Sequence, residues 1–432
     1  SAIITGLILA LILDPIHTSD DFQLLGWAAI LAMSSKYVLA LRARHLFNPA
    51  AIAVVITSLA LGEPASWWIG TASMLPAVLI GGLLVVRKVR QEEMAGAFLV
   101  AAVVATCAAT QIQGTPLPTG LSQLFTESPL IFFAAIMLTE PLTAPPTRRW
   151  KWAYGALTGV LFVPQVHIGA LYSTPELALV AGNLLTYLVN PNQRVVLHLK
   201  RKNKLARDIV DFVFTPSQPL AFMPGQYMEW TLSHPHPDSR GNRRYFTLAS
   251  SPTESSVHLG VKFYAQSSSF KRAMYAMHAN IGLIGTQIAG DFTLPADPRQ
   301  KLVFIAGGIG ITPFRSMLKY LLDTSQRRDI VLIYVNRTAD DIVYKDVLSA
   351  AETALGIKLI YTLTDTAAIS RGWAGRRGRV SERLIREAVP DFSARTFYIS
   401  GPPEMVRASA HTLKAVGVRQ SQIKRDFFPG LV

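Results

Sequence analysis

Arg243-Arg244-Tyr245-Phe246-Thr247-Leu248-Ala249-Ser250-Ser251-Pro252 alternates polar and apolar residues, then stops at Ser-Ser-Pro. That is the pattern of a short strand running into a turn. Arg244 offers a cation to a pyrophosphate, Phe246 an apolar ring to a flat heterocycle, and Thr247 a hydroxyl to a ring nitrogen, with Tyr245 between them. The set suits a flavin, with Thr247 at the reacting end.

Working outward, RDIVDFVFTP (207–216), AFMPGQYMEWTL (221–232) and SSVHLGVKFYAQ (255–266) read as further strands between Pro, Gly and Ser turns, a small antiparallel β-barrel. Ser267-Ser268-Ser269 is a polar turn opening a helix, whose free N–H groups suit a pyrophosphate at Ser268 and Ser269. Gly290 to Leu294 is expected to close the barrel. KLVFIAGGIGITPFR (301–315) then reads strand, glycine turn, helix: Gly307, Gly308 and Gly310 allow backbone to approach phosphates, and Thr312-Pro313 opens the helix. Apolar strands at 329–335, 357–363 and 396–400 alternate with helical patterns, the signature of a parallel sheet. Ser400-Gly401-Pro402-Pro403-Glu404-Met405 follows a strand end, where such sheets bind ligands.

This ordered set resembles the ferredoxin–NADP reductase superfamily over about residues 195–432. Its R-x-(Y/F)-(S/T) motif corresponds to Arg244, Phe246 and Thr247. Its G-G-x-G-x-T-P corresponds to Gly307, Gly308, Gly310, Thr312 and Pro313, and its C-G-P-x-x-M to Ser400, Gly401, Pro402 and Met405. The resemblance implies FAD, NADPH or NADH as hydride donor, Ser400 beside the nicotinamide in place of the family's Cys, and a C-terminal aromatic, Phe427 or Phe428, against the flavin. Arg337, after a strand end, could accept a 2′-phosphate with Lys345 assisting.

The 432 residues are half hydrophobic and only 16% charged, with mean hydropathy +0.30. The averages conceal a break near residue 192: apolar runs lie before it and ordinary globular sequence after it. Net charge is +14, yet no nucleic-acid reader motif accompanies it, so nucleic acid is not expected as a partner. The single cysteine, Cys107, leaves no ligand set for an iron–sulfur cluster. Ser1 to Leu13 lacks a basic n-region and a small-residue cleavage site, so a cleavable signal peptide is not expected.

Eight apolar runs are expected as membrane spans, near 1–14, 24–41, 50–62, 67–86, 94–112, 129–140, 152–164 and 175–190. Every second loop is basic: Arg42 with Arg44, Arg87 to Arg90, Arg148 to Lys151, and Arg194 to Lys204. The intervening loops have no Lys or Arg, which predicts a cytoplasmic N-terminus and cytoplasmic residues beyond 191. His45 to Ala51 (HLFNPAA) and Leu138 to Pro145 (LTEPLTAP) break the apolar pattern with a polar residue before a proline. Either they cap helices at a membrane surface, or they are broken helices facing one site, with Asn48, Thr139 and Glu140 as its contacts.

HLFNPAAIAV and FFAAIMLTEPLTAPPTRRWKWAYGALTGVLF resemble the RnfD/NqrB family of flavin-carrying membrane subunits over roughly residues 25–190. That resemblance implies the inner membrane of a bacterium and a second flavin, FMN or riboflavin. The family's covalent-FMN threonine falls on Leu130 here; Thr126 and Ser128 lie nearby but outside its S-G-A-T motif. A haem relay needs paired histidines on facing helices, and this half has only His17, His45 and His167, so haem is not expected.

The expected architecture is multi-domain. A polytopic α-helical membrane domain (1–191) and a basic linker (192–204) are followed by an FAD-binding antiparallel β-barrel (205–298) and an NAD(P)-binding α/β domain with a parallel sheet (299–432). The expected function is passage of electrons from cytoplasmic NAD(P)H through FAD to a flavin or quinone in the lipid bilayer, or to a redox protein on its far side. Alternatives are an inert anchor, an ion pump using Glu140, a subunit active only with partners, and a haem-relay oxidase.

Overall fold

Proline and polar caps cut the first part of the chain into helices. The computed structural model describes residues 2–15, 19–41, 44–141, 143–169, 171–189, 194–279 and 281–426. These fall into two units, Ser1–Asn192 and Gln193–Val432.

The helices of the first unit are α1 (Ala2–Ile12), α2 (Ser19–Val38), α3 (Pro49–Leu61), α4 (Leu75–Val89), α5 (Glu92–Gln113), α6 (Leu117–Thr126), α7 (Leu130–Phe132, continued by a π-helical stretch Phe133–Met137), α8 (Arg148–Leu161) and α9 (Pro175–Val189). Each expected apolar run contains a helix. Helix α6 is an addition inside the stretch read as a loop, begun by Pro116 and Pro118. Asn48 caps α3 by accepting from Ala50 N and Ala51 N, with Pro49 in its first turn. Helices α5 and α8 pack backbone to backbone. A Cβ on Gly155 would lie 2.5 Å from the Met94 carbonyl oxygen, and one on Gly159 2.5 Å from that of Phe98.

The expectation of eight spans meets a limit of length. A straight crossing takes about 20 apolar residues. By length and composition one described helix, α5, meets that test, or two if α6 and α7, bent by 58°, form a single span. Helices α1, α3 and α9 are apolar but have 11, 13 and 15 residues.

The second unit begins with an antiparallel sheet: β1 (Val195–Lys204), β2 (Ile209–Pro216), β3 (Tyr227–Thr231), β4 (Arg243–Thr247), β5 (Val257–Lys262), then helix α10 (Ser269–Ala276) and β6 (Gly282–Ala289). Strand order is β4-β3-β6-β1-β2-β5. The edge strands meet where Ala249 N donates to His258 O at 2.9 Å. Residues 195–204, expected as a linker, are the strand that pairs with both β2 and β6. The sheet therefore closes between β4 and β5, and Gly290 to Leu294, expected to close it, only follows the interior strand β6.

The parallel sheet contains β7 (Leu302–Gly307), β8 (Ile330–Asn336), β9 (Lys358–Leu363), β10 (Arg376–Arg377), β11 (Thr396–Ser400) and β12 (Ile423–Arg425), in the order β10-β9-β8-β7-β11-β12. Helices α11 (Thr312–Asp323), α12 (Lys345–Leu355), α13 (Glu382–Ala388) and α14 (Pro403–Ala415) cover its faces. Strands β7, β8 and β11 are almost wholly buried, as parallel strands covered on both faces must be.

A charge cluster sits where those three strands begin. Arg395 reaches Asp329 through both Nη atoms (2.7 and 3.0 Å) and Asp391 through Nε (2.6 Å), and Lys301 reaches Asp391 at 2.8 Å. The hydrogen bond from Arg395 holds the Asp391 carboxyl down at about 2. A carboxylate depressed on folding stabilises the fold fully above its unfolded value of about 4, and that contribution is lost as pH falls towards 2. Acid titration followed by circular dichroism should therefore show a loss of structure between these limits, and Asp391→Asn should be less stable than wild type at pH 7 but less sensitive across that acid range. Equal acid sensitivity of the two proteins would remove this role.

Candidate functional site: a dinucleotide turn beside an edge strand

Strand β4 pairs with β3 in the register Thr247↔Tyr227, Phe246↔Met228, Tyr245↔Glu229 and Arg244↔Trp230. Successive side chains point to opposite faces. Arg244 and Phe246 therefore share one face, near Phe270, whose ring lies 6.0 Å from that of Phe246 and 5.4 Å from the Arg244 guanidinium carbon. Tyr245 and Thr247 take the other face. Tyr245 packs edge-on against Tyr227 at 5.7 Å and donates to Glu229 at 2.8 Å, with Gln287 Oε1 3.0 Å away. A flat ring lying along one face would meet one pair through side chains and the other through backbone, so the four expected contacts do not act together on one face.

Arg244 is buried, and its guanidinium is largely engaged. Nη2 donates to both oxygens of Asp238, and Nη1 to the carbonyls of Arg240, Gly241 and Arg243. Its Nε is buried without a partner among the described residues. Ser268 caps α10 by accepting from Lys271 N at 3.3 Å, while Ser269 donates to Asp238 from N and Oγ. An orphaned guanidinium N–H beside a helix N-terminus fits the diphosphate of a dinucleotide.

On the nucleotide side two turns touch. A Cβ on Gly307 would lie 2.3 Å from Met405 Sδ, and one on Gly310 would lie 2.5 Å from the Ser400 carbonyl oxygen and 2.6 Å from Gly401 Cα. Only glycine permits the second approach, because the obstructing atoms are backbone. Gly308 has φ +52°, and Pro313 stands in the first turn of α11. Thr312 Oγ1 donates to Ile309 O at 3.2 Å, so its hydroxyl closes its own turn. Pro402 is the N-cap of α14. Ser400 Oγ donates to Asp426 at 2.8 Å. Burial, with Asp291 and Asp426 nearby, holds the Tyr227 phenol well above its ordinary range and keeps it neutral. Ser400 and Asp426 thus come close to the Tyr227–Tyr245 face of the antiparallel sheet. Phe427 and Phe428 lie outside the described residues.

At the ends of β8 and β9 a cavity of about 360 Å³ is lined by Arg337, Thr364, Asp365, Thr366 and Ala367. Arg337 Nε lies 3.3 Å from Asp365 Oδ2. Lys345 opens α12 and is not among the lining residues.

In the first unit the two proline motifs converge. His45 Nε2 lies 3.3 Å from Glu140 Oε1, and Thr143 donates to Glu140 Oε2 at 3.1 Å. Asn48 N donates to Asn183, which donates to the Tyr154 hydroxyl. Thr139 instead donates to Ala135 O, back into its own helix. His167 lies beside the Gly169 carbonyl, and His17 is outside the described residues.

Asp238, Asp365 and Asp426 escaped the sequence reading. Each sits in a turn or just past a strand end with no motif around it. An Asp close after the apolar run 357–363 was the one available signal, for Asp365.

Residues 304–411 match the family "Oxidoreductase NAD-binding domain". The glycine betaine monooxygenase reductase subunit of Pseudomonas aeruginosa is 29% identical over 245 residues, covering 54% of this chain and 64% of the subunit. The NADPH nitrate reductase of Emericella nidulans is 26% identical over 302 residues, covering 62% of this chain and 34% of that protein. The chain therefore spans just under two thirds of the length of the first relative. The crystal structure of flavohemoglobin from Malassezia yamatoensis with bound FAD and heme aligns with TM-score 0.50 at 19% identity, over 80% of this chain and 98% of that one. That likeness is one of fold, to which this chain's six-stranded antiparallel and six-stranded parallel sheets belong. The relatives are oxidoreductases and reductase subunits.

Gly310→Ala tests the crossing of the two turns. The new Cβ has no room against Gly401, so affinity for the nicotinamide coenzyme should fall about tenfold or more, while flavin content stays at the wild-type level. Coenzyme titration followed by flavin absorbance measures both, and an unchanged coenzyme affinity would show that the turns do not hold the nucleotide.

Proposed function

We propose that the chain is an NAD(P)H-dependent FAD oxidoreductase whose first unit lies in a membrane and carries electrons on to a flavin or quinone held there, or to a redox protein on the far side. The observation that carries the reading is the meeting of the Gly307–Gly310 turn with Ser400–Gly401 near the flavin-type strand β4. When bound, FAD supplies the change from hydride to single-electron chemistry. The chain's own part is to hold a diphosphate at Arg244 and α10, seat the nicotinamide nucleotide across the two glycine turns, and keep Ser400 aligned by Asp426.

Two observations favour lipid around the first unit. Basic residues fall in every second loop. Among the described residues, large apolar side chains stand exposed at 25 positions in the first unit, Ile3, Trp27, Leu84 and Ile112 among them, and at four in the second. Exposed apolar surface on that scale asks for a cover, and in this reading bent and short helices enclose the His45–Glu140 site. The second flavin would be FMN or riboflavin near Asn48 and Glu140, non-covalently held, with the cytoplasmic N-terminus and reductase unit on the inner face of a bacterial inner membrane. A second reading follows the relatives' names: as a reductase subunit, the chain would pass electrons to a partner oxygenase.

For the coenzyme, the carboxylate of Asp365 beside Arg337 favours NADH. It neutralises the cation that a 2′-phosphate would need and can accept from a ribose hydroxyl instead.

Detergent-purified protein should hold one FAD and one further flavin per chain, by acid release and chromatography. A single flavin equivalent would remove the second site, and a haem Soret band would remove the flavin relay. NADH should be preferred over NADPH in kcat/KM, and Asp365→Asn should move that ratio towards NADPH by about tenfold.

A further inference from the structure

Resting on the FAD reading, one residue outside every motif accounts for the geometry of Arg244. We propose that Asp238 is a positioning residue for the flavin dinucleotide: it ties the Arg244 guanidinium to the N-terminus of α10 and so fixes the cation beside the helix end that would take the diphosphate.

Asp238 is held from several sides. Arg244 Nη2 donates to Oδ1 and Oδ2 at 2.6 and 2.8 Å, and Arg240 N donates to Oδ1 at 3.0 Å. Ser269 N and Oγ donate to Oδ2 at 3.2 and 3.0 Å. The Asp238 N–H is itself 3.0 Å from Ser269 Oγ, which also lies 3.0 Å from His234 Nε2. One carboxylate therefore links the strand that supplies the cation to the helix that supplies the free N–H groups.

The guanidinium has little remaining freedom. Three carbonyls take Nη1, Asp238 takes Nη2, and the Phe270 ring lies 5.4 Å from its central carbon. Nε alone is buried and unpartnered. Leaving a buried charged donor unpaired is costly. Such a cost persists where a ligand oxygen completes the set, and the place beside a helix N-terminus suits a phosphate oxygen. The added negative charge of Asp238 is outnumbered locally, since Arg240 stands in the same turn, Arg243 at the start of β4, and Lys271 and Arg272 in α10. Without Asp238 the Nη2 end of the guanidinium would lose its partner, and the strand and helix would lose their shared anchor.

The proposal makes Asp238 act through Arg244, which a double-mutant cycle reads directly. Full-length protein stripped of flavin is titrated with FAD, following quenching of FAD fluorescence, for wild type, Asp238→Ala, Arg244→Gln and the double variant. Asp238→Ala should weaken FAD binding about tenfold or more. The same change in the Arg244→Gln background should have little further effect. If Asp238→Ala fails to fold, Asp238→Asn takes its place in the cycle, with the same non-additivity expected at smaller amplitude. Equal losses in both backgrounds would mean a structural role independent of Arg244, and would overturn the proposal. Tighter FAD binding by either Asp238 variant would also overturn it, showing the carboxylate to be a competitor for the anion's place. Wild-type protein that takes up no FAD would instead overturn the FAD reading itself, together with this inference.

Discussion

Arg315 and Glu254 hold the second unit's two sheets to each other. Arg315 stands in the first turn of α11, directly after the glycine turn, and is buried. It donates to both oxygens of Glu254 and to the Ala249 carbonyl. Ser316, next to it, donates to Ser250 O at 2.6 Å and accepts from Gly225 N at 3.3 Å. The helix that would face the nucleotide phosphates is thereby stitched to the loop that leaves β4. The chain of contacts continues from Glu254 to His258 (3.9 Å), from His258 to Asp211 (2.8 Å) and from Asp211 to the Tyr344 hydroxyl (3.1 Å). Buried ion pairs often add little net stability over an apolar replacement, but removing one partner is costly because the other charge is stranded. What such a network gives here is a single permitted placement of the two sheets.

The glycines do the corresponding work at shorter range. Ser400 and Gly401 approach Gly310 closely enough that no side chain fits between them. Motifs of this kind were legible in the sequence because each demands a local backbone property: a tight turn, a close approach, a helix start. The α/β alternation and the barrel strands were legible for a similar reason, since their periods are written in neighbouring residues. Pairings such as Asp238 with Arg244, Arg315 with Glu254, or Ser400 with Asp426 carry no such local signature. They are created by the fold, across six, 61 and 26 positions of chain.

Strand β1 shows how composition can hide a period. Val195, Leu197 and Leu199 point inward at alternate positions, while His198, Lys200, Arg201 and Lys202 face outward. The alternation was present, but the density of basic residues suggested a linker. The pleat likewise separates Phe246 from Thr247, a consequence of period two that a motif read as a single string conceals.

In the first unit, α6 aside, sequence and structure agree on where helices occur and differ on what their lengths mean. Proline ends several of them early, so the apolar runs are shorter than a bilayer requires of a straight helix. The residues beside those prolines are not merely capping surface helices, however. Asn48 caps α3 with its side chain and bonds Asn183 through its backbone N–H, and Asn183 in turn bonds Tyr154. All three residues are buried. His45 and Glu140, 95 positions apart, meet within the same unit. A polar chain of that extent inside an apolar helical unit is costly unless every member is paired. Its members come from α3, α8, α9 and the turns before α3 and after α7, so it ties together segments too short to be stable singly. The same pairing satisfies the backbone and side-chain polar groups that the broken helices leave exposed to an apolar interior.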